Sequence, residues 1–175
     1  HRQMCIRARV TGSFKFRGAF TKLSKLASAS KLKGVVAYSS GNHAQGVAAA
    51  AAHFGVSATI VMPSDAPKIK IANTKALGAN VVLYERNKED RNAIGQRLSK
   101  AHDLIVIPPY NDADIMAVPC TIGLEIAQQP NAMNINCAQT IGPASGGGSM
   151  PRRAPADNPH SPAVLSSCAG TVRHH

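Results

Sequence analysis

The first clear pattern along the chain is a stripe of apolar residues that recurs every three or four positions. The stripe consists of Phe16, Ala19, Phe20, Leu23 and Leu26. This spacing brings the apolar side chains to one face of an α-helix. Ser13 is the candidate N-cap, because its hydroxyl can accept a free backbone N–H of the first turn. The pattern predicts a helix that begins near Lys15 and is broken at Gly34.

Short apolar runs then alternate with helical segments. The predicted strands are residues 35–38, 58–62, 80–84, 104–107 and 138–141, and the predicted helices are 43–54, 67–77, 87–101 and 112–129. Gly55 and Gly78 are expected to follow the ends of the first two of these helices. Strands and helices alternate at intervals of roughly twenty residues. This alternation predicts an α/β fold in which helices cover both faces of an open, parallel, twisted sheet. Ligands of such sheets bind beyond the carboxyl ends of the strands.

The two ends of the chain differ from this pattern. Residues 1–10 show no clear period and form an atypical N-terminal segment. Residues 151–175 carry four prolines among polar residues without periodicity, which predicts a disordered or non-native tail. The folded domain is therefore expected within residues 11–150, as one domain or part of a larger one.

The net charge of +11 raises the possibility of a nucleic-acid-binding domain. The lysines are scattered through helical segments instead of forming one patch, and three Tyr and four Phe offer few rings for stacking. A solvated cationic surface is the favoured interpretation, and no nucleic-acid partner is expected.

Two features of the sequence indicate the cellular compartment: the four cysteines and the lack of long apolar runs. Cys5, Cys120, Cys137 and Cys168 are far apart and form no C-x-x-C pair, which predicts free thiols in a reducing compartment. No apolar run is long enough to span a bilayer, and no signal-peptide core is present. These features predict a cytoplasmic protein without a membrane partner.

Lys15 is the first candidate for chemistry. It lies between Phe14 and Phe16, and apolar surroundings favour the neutral amine, which is the form that attacks an aldehyde. The alternative is an ordinary exposed helix lysine, since lysine is rarely buried.

Two loops look suited to small anions. The first is Ser39-Ser40-Gly41-Asn42-His43, between a predicted strand and a helix start, where free N–H groups and the helix dipole favour a carboxylate or a phosphate. Its alternative is a simple N-cap by Ser40 or Asn42. The second is the loop 145–149, in which Gly146, Gly147 and Gly148 can form an anion nest. The alternative there is a flexible linker.

Other motifs are missing from the sequence. It contains neither G-x-x-x-x-G-K-[ST] nor G-x-G-x-x-G, the fingerprints of nucleotide binding. No His-x-x-x-His pair or acidic cluster points to a metal site, so no metal is expected.

Three segments taken together resemble the fold-type II pyridoxal-phosphate (PLP) enzymes, in particular the serine/threonine dehydratases and serine racemases. They are Ser13-Phe14-Lys15-Phe16-Arg17-Gly18-Ala19, Ser39 through Gly46, and Thr121-Ile122-Gly123-Leu124-Glu125-Ile126. The resemblance is strong over 11–129 and weaker to Met150. It implies a partial tryptophan synthase β-like fold: a small domain plus the start of a large one.

The resemblance also implies roles for residues. Lys15 would be the internal Schiff-base lysine, Phe14 would pack on the cofactor ring, and Asn42 would hydrogen-bond the ring's 3′ oxygen. Ser39, Ser40, Gly41, Asn42 and His43 would hold the substrate carboxylate, and Gly146, Gly147 and Gly148 would form the phosphate loop. Ser40 stands where racemases of the group carry a second catalytic base.

The implied function is PLP-dependent β-elimination of L-serine or L-threonine to a 2-keto acid and ammonia, with some racemase activity. The resemblance also implies that the full-length family member is a homo-oligomer. The family's C-terminal half is not recognisable here, and Val118-Pro119-Cys120 replaces its usual Gly-Gln-Gly, which suggests a truncated fragment. The alternatives are a catalytically inactive PLP-binding or interaction fragment and a basic nucleic-acid-binding domain.

Overall fold

A computed structural model describes residues 10–28, 32–109, 112, 114–115, 139–140 and 163–164. The chain divides into one unit formed by Cys5–Val118 and another formed by His1–Met4 with Pro119–His175. In the second unit, the described residues form two short parallel strands, Gln139–Thr140 and Ala163–Val164.

Strands and helices alternate through the first unit. Its elements are α1 (Lys15–Ser28), β1 (Gly34–Tyr38), α2 (Asn42–His53), β2 (Ser57–Pro63), α3 (Lys68–Ala76), β3 (Asn80–Tyr84), α4 (Arg91–His102) and β4 (Ile105–Val106). The second unit contributes β5 (Gln139–Thr140) and β6 (Ala163–Val164). The predicted alternation is confirmed in the first unit, and Gly55 and Gly78 follow α2 and α3 with φ of +64° and +85°, as C′ glycines do.

The sheet of the first unit is parallel, with the strand order β3-β2-β1-β4. The chain proceeds from β1 outward to β2 and β3 and then returns to place β4 on the free side of β1. The direction of winding therefore reverses between β1 and β4. In open α/β sheets this switch point opens a crevice at the carboxyl ends of the two strands.

Helices cover both faces of this sheet. Successive strand residues point to opposite faces, and Val35 and Ala37 of β1 join a core with residues of α1 and α2. Val36, between them, packs with Ile94 of α4 in a second core. The predicted doubly wound α/β architecture is confirmed.

Two details differ from the prediction. Gly34 is the first residue of β1 instead of a helix breaker, and a Cβ there would meet Leu104 Cδ2 at 2.8 Å. Helix α4 begins at Arg91, later than expected, because the Asp90 side chain accepts the Asn92 N–H at 2.9 Å and caps it. Strand β6 lies within residues 151–175, whose predicted disorder or non-native origin stays a prediction. The cysteines and nearly all of the predicted helix 112–129 lie outside the described residues.

Candidate active site

The turn between β1 and α2 lies at the switch point. The Ser39 N–H donates to the Val61 carbonyl at 3.1 Å, and the Gly41 N–H donates to Ser39 Oγ at 3.2 Å. Gly41, and neither Ser40 nor Asn42, is the N-cap of α2. Glycine brings no side-chain acceptor to the first N–H groups of the helix, which have no intrahelical partner. Together with the positive end of the helix dipole, this leaves a helix start suited to an anion.

Lys15 is the first residue of α1. Its backbone N–H donates to Ser13 Oγ at 3.3 Å, as expected for a capping serine. Its Nζ donates to the Pro109 carbonyl at 3.0 Å, just beyond β4, and lies 5.4 Å from the centre of the Phe14 ring. The side chain is half-buried, and this burial lowers the pKa of Lys15 below its usual 10.5. Lys15 is therefore not the exposed helix lysine of the alternative interpretation.

Helix α2 approaches the backbone of Lys15 closely at Gly46. A Cβ atom on this glycine would lie 3.1 Å from both the Lys15 carbonyl carbon and the Phe16 nitrogen. Gly46 is about one helical turn from Asn42, the first residue of α2. The amine-bearing residue and the helix start are thus held at the same end of the sheet.

His43 is buried in the first turn of α2, with 3% of its surface exposed. Its Nε2 lies 3.1 Å from the Ile107 carbonyl. Burial lowers the pKa of His43 to about 4; the Ile107 hydrogen bond opposes this change and the positive charge of Lys15 adds to it. The ring is neutral at neutral pH. Because a carbonyl can only accept, Nε2 carries the proton and Nδ1 is an acceptor.

Nδ1 of His43 is itself buried and has no hydrogen-bond partner among the described residues. A lone pair there would repel a carboxylate. A contact between His43 and a substrate carboxylate would therefore come from its backbone N–H. That role stays a prediction.

Asn42 and Ser40 are accessible at the same turn. Asn42 is exposed, and its Oδ1 accepts from Lys70 Nζ of α3 at 3.4 Å. The amide NH₂ of Asn42 is the group that remains to donate to a ligand. Ser40 is half-buried. Gly146, Gly147 and Gly148 lie outside the described residues, so their predicted phosphate loop stays a prediction.

Sequence reasoning missed two participants in this geometry, Pro109 and Lys70. Pro109 lies 94 residues from Lys15 in the chain, and only the strand order brings them together. Lys70 sits in the first turn of α3 and was treated as one of the scattered surface lysines. The pair Pro108-Pro109 directly after a strand was the available signal, since it marks an abrupt strand end.

The residues present fit a phosphate-bearing aldehyde. A desolvated amine can hold the aldehyde carbon, the Phe14 ring offers an apolar face, and the start of α2 offers free N–H groups. Among the residues that the structure describes, no three His, Cys, Asp or Glu side chains are grouped to hold a metal ion. Within that same part of the chain, no helix has the length and apolar character needed to cross a membrane.

The site thus combines a half-buried lysine of lowered pKa with the switch point of a doubly wound α/β sheet. The family model described as "Pyridoxal-phosphate dependent enzyme" matches residues 6–150, and the chain belongs to this family. The predicted family, fold-type II architecture and cofactor are thereby confirmed.

Three individual proteins show which members of the family the chain is similar to. An L-threo-3-hydroxyaspartate ammonia-lyase from a Pseudomonas species is 49% identical over 124 residues, covering 71% of this chain and 39% of the relative. A catabolic L-threonine dehydratase from Staphylococcus aureus is 45% identical over 138 residues, covering 79% and 39%. The structure of maize serine racemase matches with a TM-score of 0.75 and 34% identity, covering 88% of this chain and 46% of that one. The chain thus spans about 39% of the length of these two curated relatives.

Proposed function

We propose that this protein deaminates small β-hydroxy amino acids, with L-serine and L-threonine as the first substrates to consider. In the overall reaction the amino acid loses one water by elimination and takes up one water on hydrolysis. The products are one 2-keto acid and one ammonia. The names of the Pseudomonas and Staphylococcus relatives support the ammonia-lyase class and add L-threo-3-hydroxyaspartate as a third candidate substrate.

The Lys15 amine is the group that would act on the substrate. In its neutral form it would hold the cofactor aldehyde, and as a free amine it would accept the α-proton of the substrate. Bound PLP would supply an electron sink for the charge left at the α-carbon. The position of the half-buried Lys15 amine at the switch point, with its Nζ 3.0 Å from the Pro109 carbonyl, is the observation that carries this proposal.

The start of α2 would orient the substrate. Its free N–H groups and the hydroxyls of Ser39 and Ser40 can hold a carboxylate, and the Asn42 amide can donate to the 3′ oxygen of the cofactor ring. Ser40 would donate or accept a proton on the face opposite Lys15, which would give some racemisation of the substrate. We also propose that the protein acts in the cytoplasm and that its full-length form is a homo-oligomer. We propose no nucleic-acid or membrane partner.

Attachment of the cofactor is the first test. The purified chain is mixed with PLP, reduced with borohydride and mapped by mass spectrometry. We expect the adduct on Lys15, its loss in Lys15→Arg, and its retention in the control Lys68→Arg, which changes an exposed lysine of α3. An even spread of adduct over the lysines would overturn the cofactor assignment.

Turnover is the second test. Keto acid and ammonia are measured with L-serine, L-threonine and L-threo-3-hydroxyaspartate, and we expect equal amounts of the two products with at least one substrate. An adduct on Lys15 without any keto acid would instead identify a PLP-binding protein without lyase activity. The coverage of about 39% of its curated relatives gives that second candidate its weight.

A further inference from the structure

The segment after β4 has an unusual shortage of hydrogen-bond donors. Ile107 is followed by Pro108 and Pro109, and neither proline has a backbone N–H. The Ile107 N–H donates to the Val36 carbonyl at 2.8 Å and is the last backbone donor before the two prolines. Beyond that point, residues 107–109 can be fixed by hydrogen bonds only through donors that reach their carbonyl oxygens.

Two side chains provide such donors. His43 Nε2 lies 3.1 Å from the Ile107 carbonyl, and Lys15 Nζ donates to the Pro109 carbonyl at 3.0 Å. His43 is 64 residues from Ile107 in sequence, so this bond ties the start of α2 to the end of β4 across the switch point. The same three-residue segment therefore links the buried imidazole to the candidate catalytic amine.

We propose that His43 is a positioning residue: its Nε2–H holds the Ile107 carbonyl and thereby fixes the Pro109 carbonyl that orients the Lys15 amine. The proposal rests on Lys15 being the reactive amine of the proposed function. It assigns to the imidazole ring a task within the protein, distinct from contact with the substrate.

The chemistry of the ring is consistent with this task. A neutral imidazole with Nε2–H donates one hydrogen bond without placing a second positive charge beside Lys15. Burial keeps the His43 ring neutral at neutral pH, where the Lys15 amine is proposed to act. Nδ1 has no hydrogen-bond partner among the described residues, so no bond at this nitrogen pulls the ring away from Ile107.

Two substitutions distinguish the contributions of the two ring nitrogens of His43. The amide nitrogen of Gln in His43→Gln can take the place of Nε2 and keep the donor to Ile107. The shorter amide in His43→Asn reaches only the position of Nδ1 and loses that donor. Both variants are neutral, so a difference between them cannot arise from charge.

The experiment measures Lys15 directly and without PLP. Competitive labelling with acetic anhydride across the alkaline range, followed by peptide mapping, gives the pKa and the intrinsic reactivity of individual lysines in the full chain. Lys68 is the internal reference, and Ile94→Val is the stability control, because Ile94 packs on the opposite face of the sheet. Each variant is labelled under conditions in which circular dichroism shows it folded.

We expect His43→Asn to raise the pKa of Lys15 toward its ordinary value, as water enters, and to change its reactivity about tenfold. His43→Gln and Ile94→Val should leave Lys15 near the wild-type values. The proposal is overturned if Asn and Gln act alike at position 43, or if Ile94→Val reproduces the effect. A failure of wild-type Lys15 to bind PLP would count against the proposed function alone, because the labelling does not involve the cofactor.

Discussion

The backbone of Lys15 lies against Gly46: a Cβ atom on that glycine would be 3.1 Å from the Lys15 carbonyl carbon. The neighbouring atoms are backbone and cannot move aside as a flexible side chain would. Gly46→Ala should therefore push α1 from α2 and destabilise the protein by about 1–3 kcal/mol, in spite of the better helix propensity of alanine. Urea unfolding measures this loss, and the rate of PLP attachment to Lys15 should fall in parallel.

Gly95→Ala is the matched control for this substitution. Its Cβ would approach the Tyr38 ring at a similar 3.1 Å, but that ring is a side chain that can shift. We expect its stability to stay within about 1 kcal/mol of the wild type, because alanine favours the helix. Equal losses in the two variants would contradict the importance of the contact between Gly46 and Lys15.

Acid should destabilise the protein through His43. Its pKa is about 4 in the folded protein and near 6.5 when solvated, so between these values the unfolded chain binds the proton and the folded chain does not. The stabilisation is complete above pH 6.5 and declines to a plateau below pH 4, a loss of about 3 kcal/mol. Lys15 is the charged group that acts on the ring, and its positive charge lowers the pKa of His43 further.

His43→Gln isolates this contribution from the carboxylates that also titrate in acid. Urea unfolding of both proteins as a function of pH should show a shallower slope for the variant between pH 6.5 and 4. Identical slopes would mean that His43 titrates normally in the folded protein.

Lys22 connects α1 to the residues that follow β4. Its Nζ lies 2.9 Å from Asp112 Oδ2 and 3.2 Å from Asp114 Oδ2. Burial alone would raise the pKa of Asp112, but the bond from Lys22 and the backbone N–H groups of Ile115 and Asp114 outweigh it and hold that pKa below its usual value. Lys22→Met should therefore cost on the order of 1 kcal/mol, the upper part of the range for such pairs.

Lys33→Met provides the comparison for Lys22. The pair of Lys33 and Asp103 has a similar length of 3.0 Å, but its side chains are 68% and 79% exposed, against 21% and 16% for Lys22 and Asp112. Solvent screening should make its loss barely measurable by thermal unfolding. A loss at Lys33 equal to that at Lys22 would show that burial does not strengthen the Lys22 pair.

Asn42→Asp tests the amide predicted to contact the cofactor. The substitution keeps the shape, removes the NH₂ donor and adds a negative charge where the ring oxygen is expected, while Lys70 retains an acceptor. PLP affinity, measured by spectroscopic titration, should fall about tenfold or more, as for loss of a hydrogen bond to a charged group. Asn87→Asp, in the exposed turn after β3, makes the same chemical change away from the site and should bind PLP normally.

The sequence pattern predicted the elements well because each carries a local signal. The period of the stripe from Phe16 to Leu26 and the C′ glycines Gly55 and Gly78 act within a few residues of chain. The start of α4 was misplaced because Asp90 was not recognised as its cap. The motifs around Lys15 and Ser39–His43 identified the family, and their common location at one sheet edge followed from the parallel arrangement.

The long-range partners could not be predicted in this way. Pairing of Lys15 with Pro109, and of His43 with Ile107, depends on β4 lying beside β1, and neither periodicity nor composition fixes the order of strands. A histidine in an alanine-rich helix gave no indication of its burial. Its tautomer follows only from the carbonyl it faces.

The 94 residues between Lys15 and Pro109 also set an order of events during synthesis. At about 5–20 residues per second, the ribosome adds Pro109 some 5 to 20 seconds after Lys15. During that interval Pro109 is not yet present, and the Lys15 amine lacks this acceptor. The hydrogen bond between the Lys15 amine and the Pro109 carbonyl can therefore form only after β4 has been synthesised.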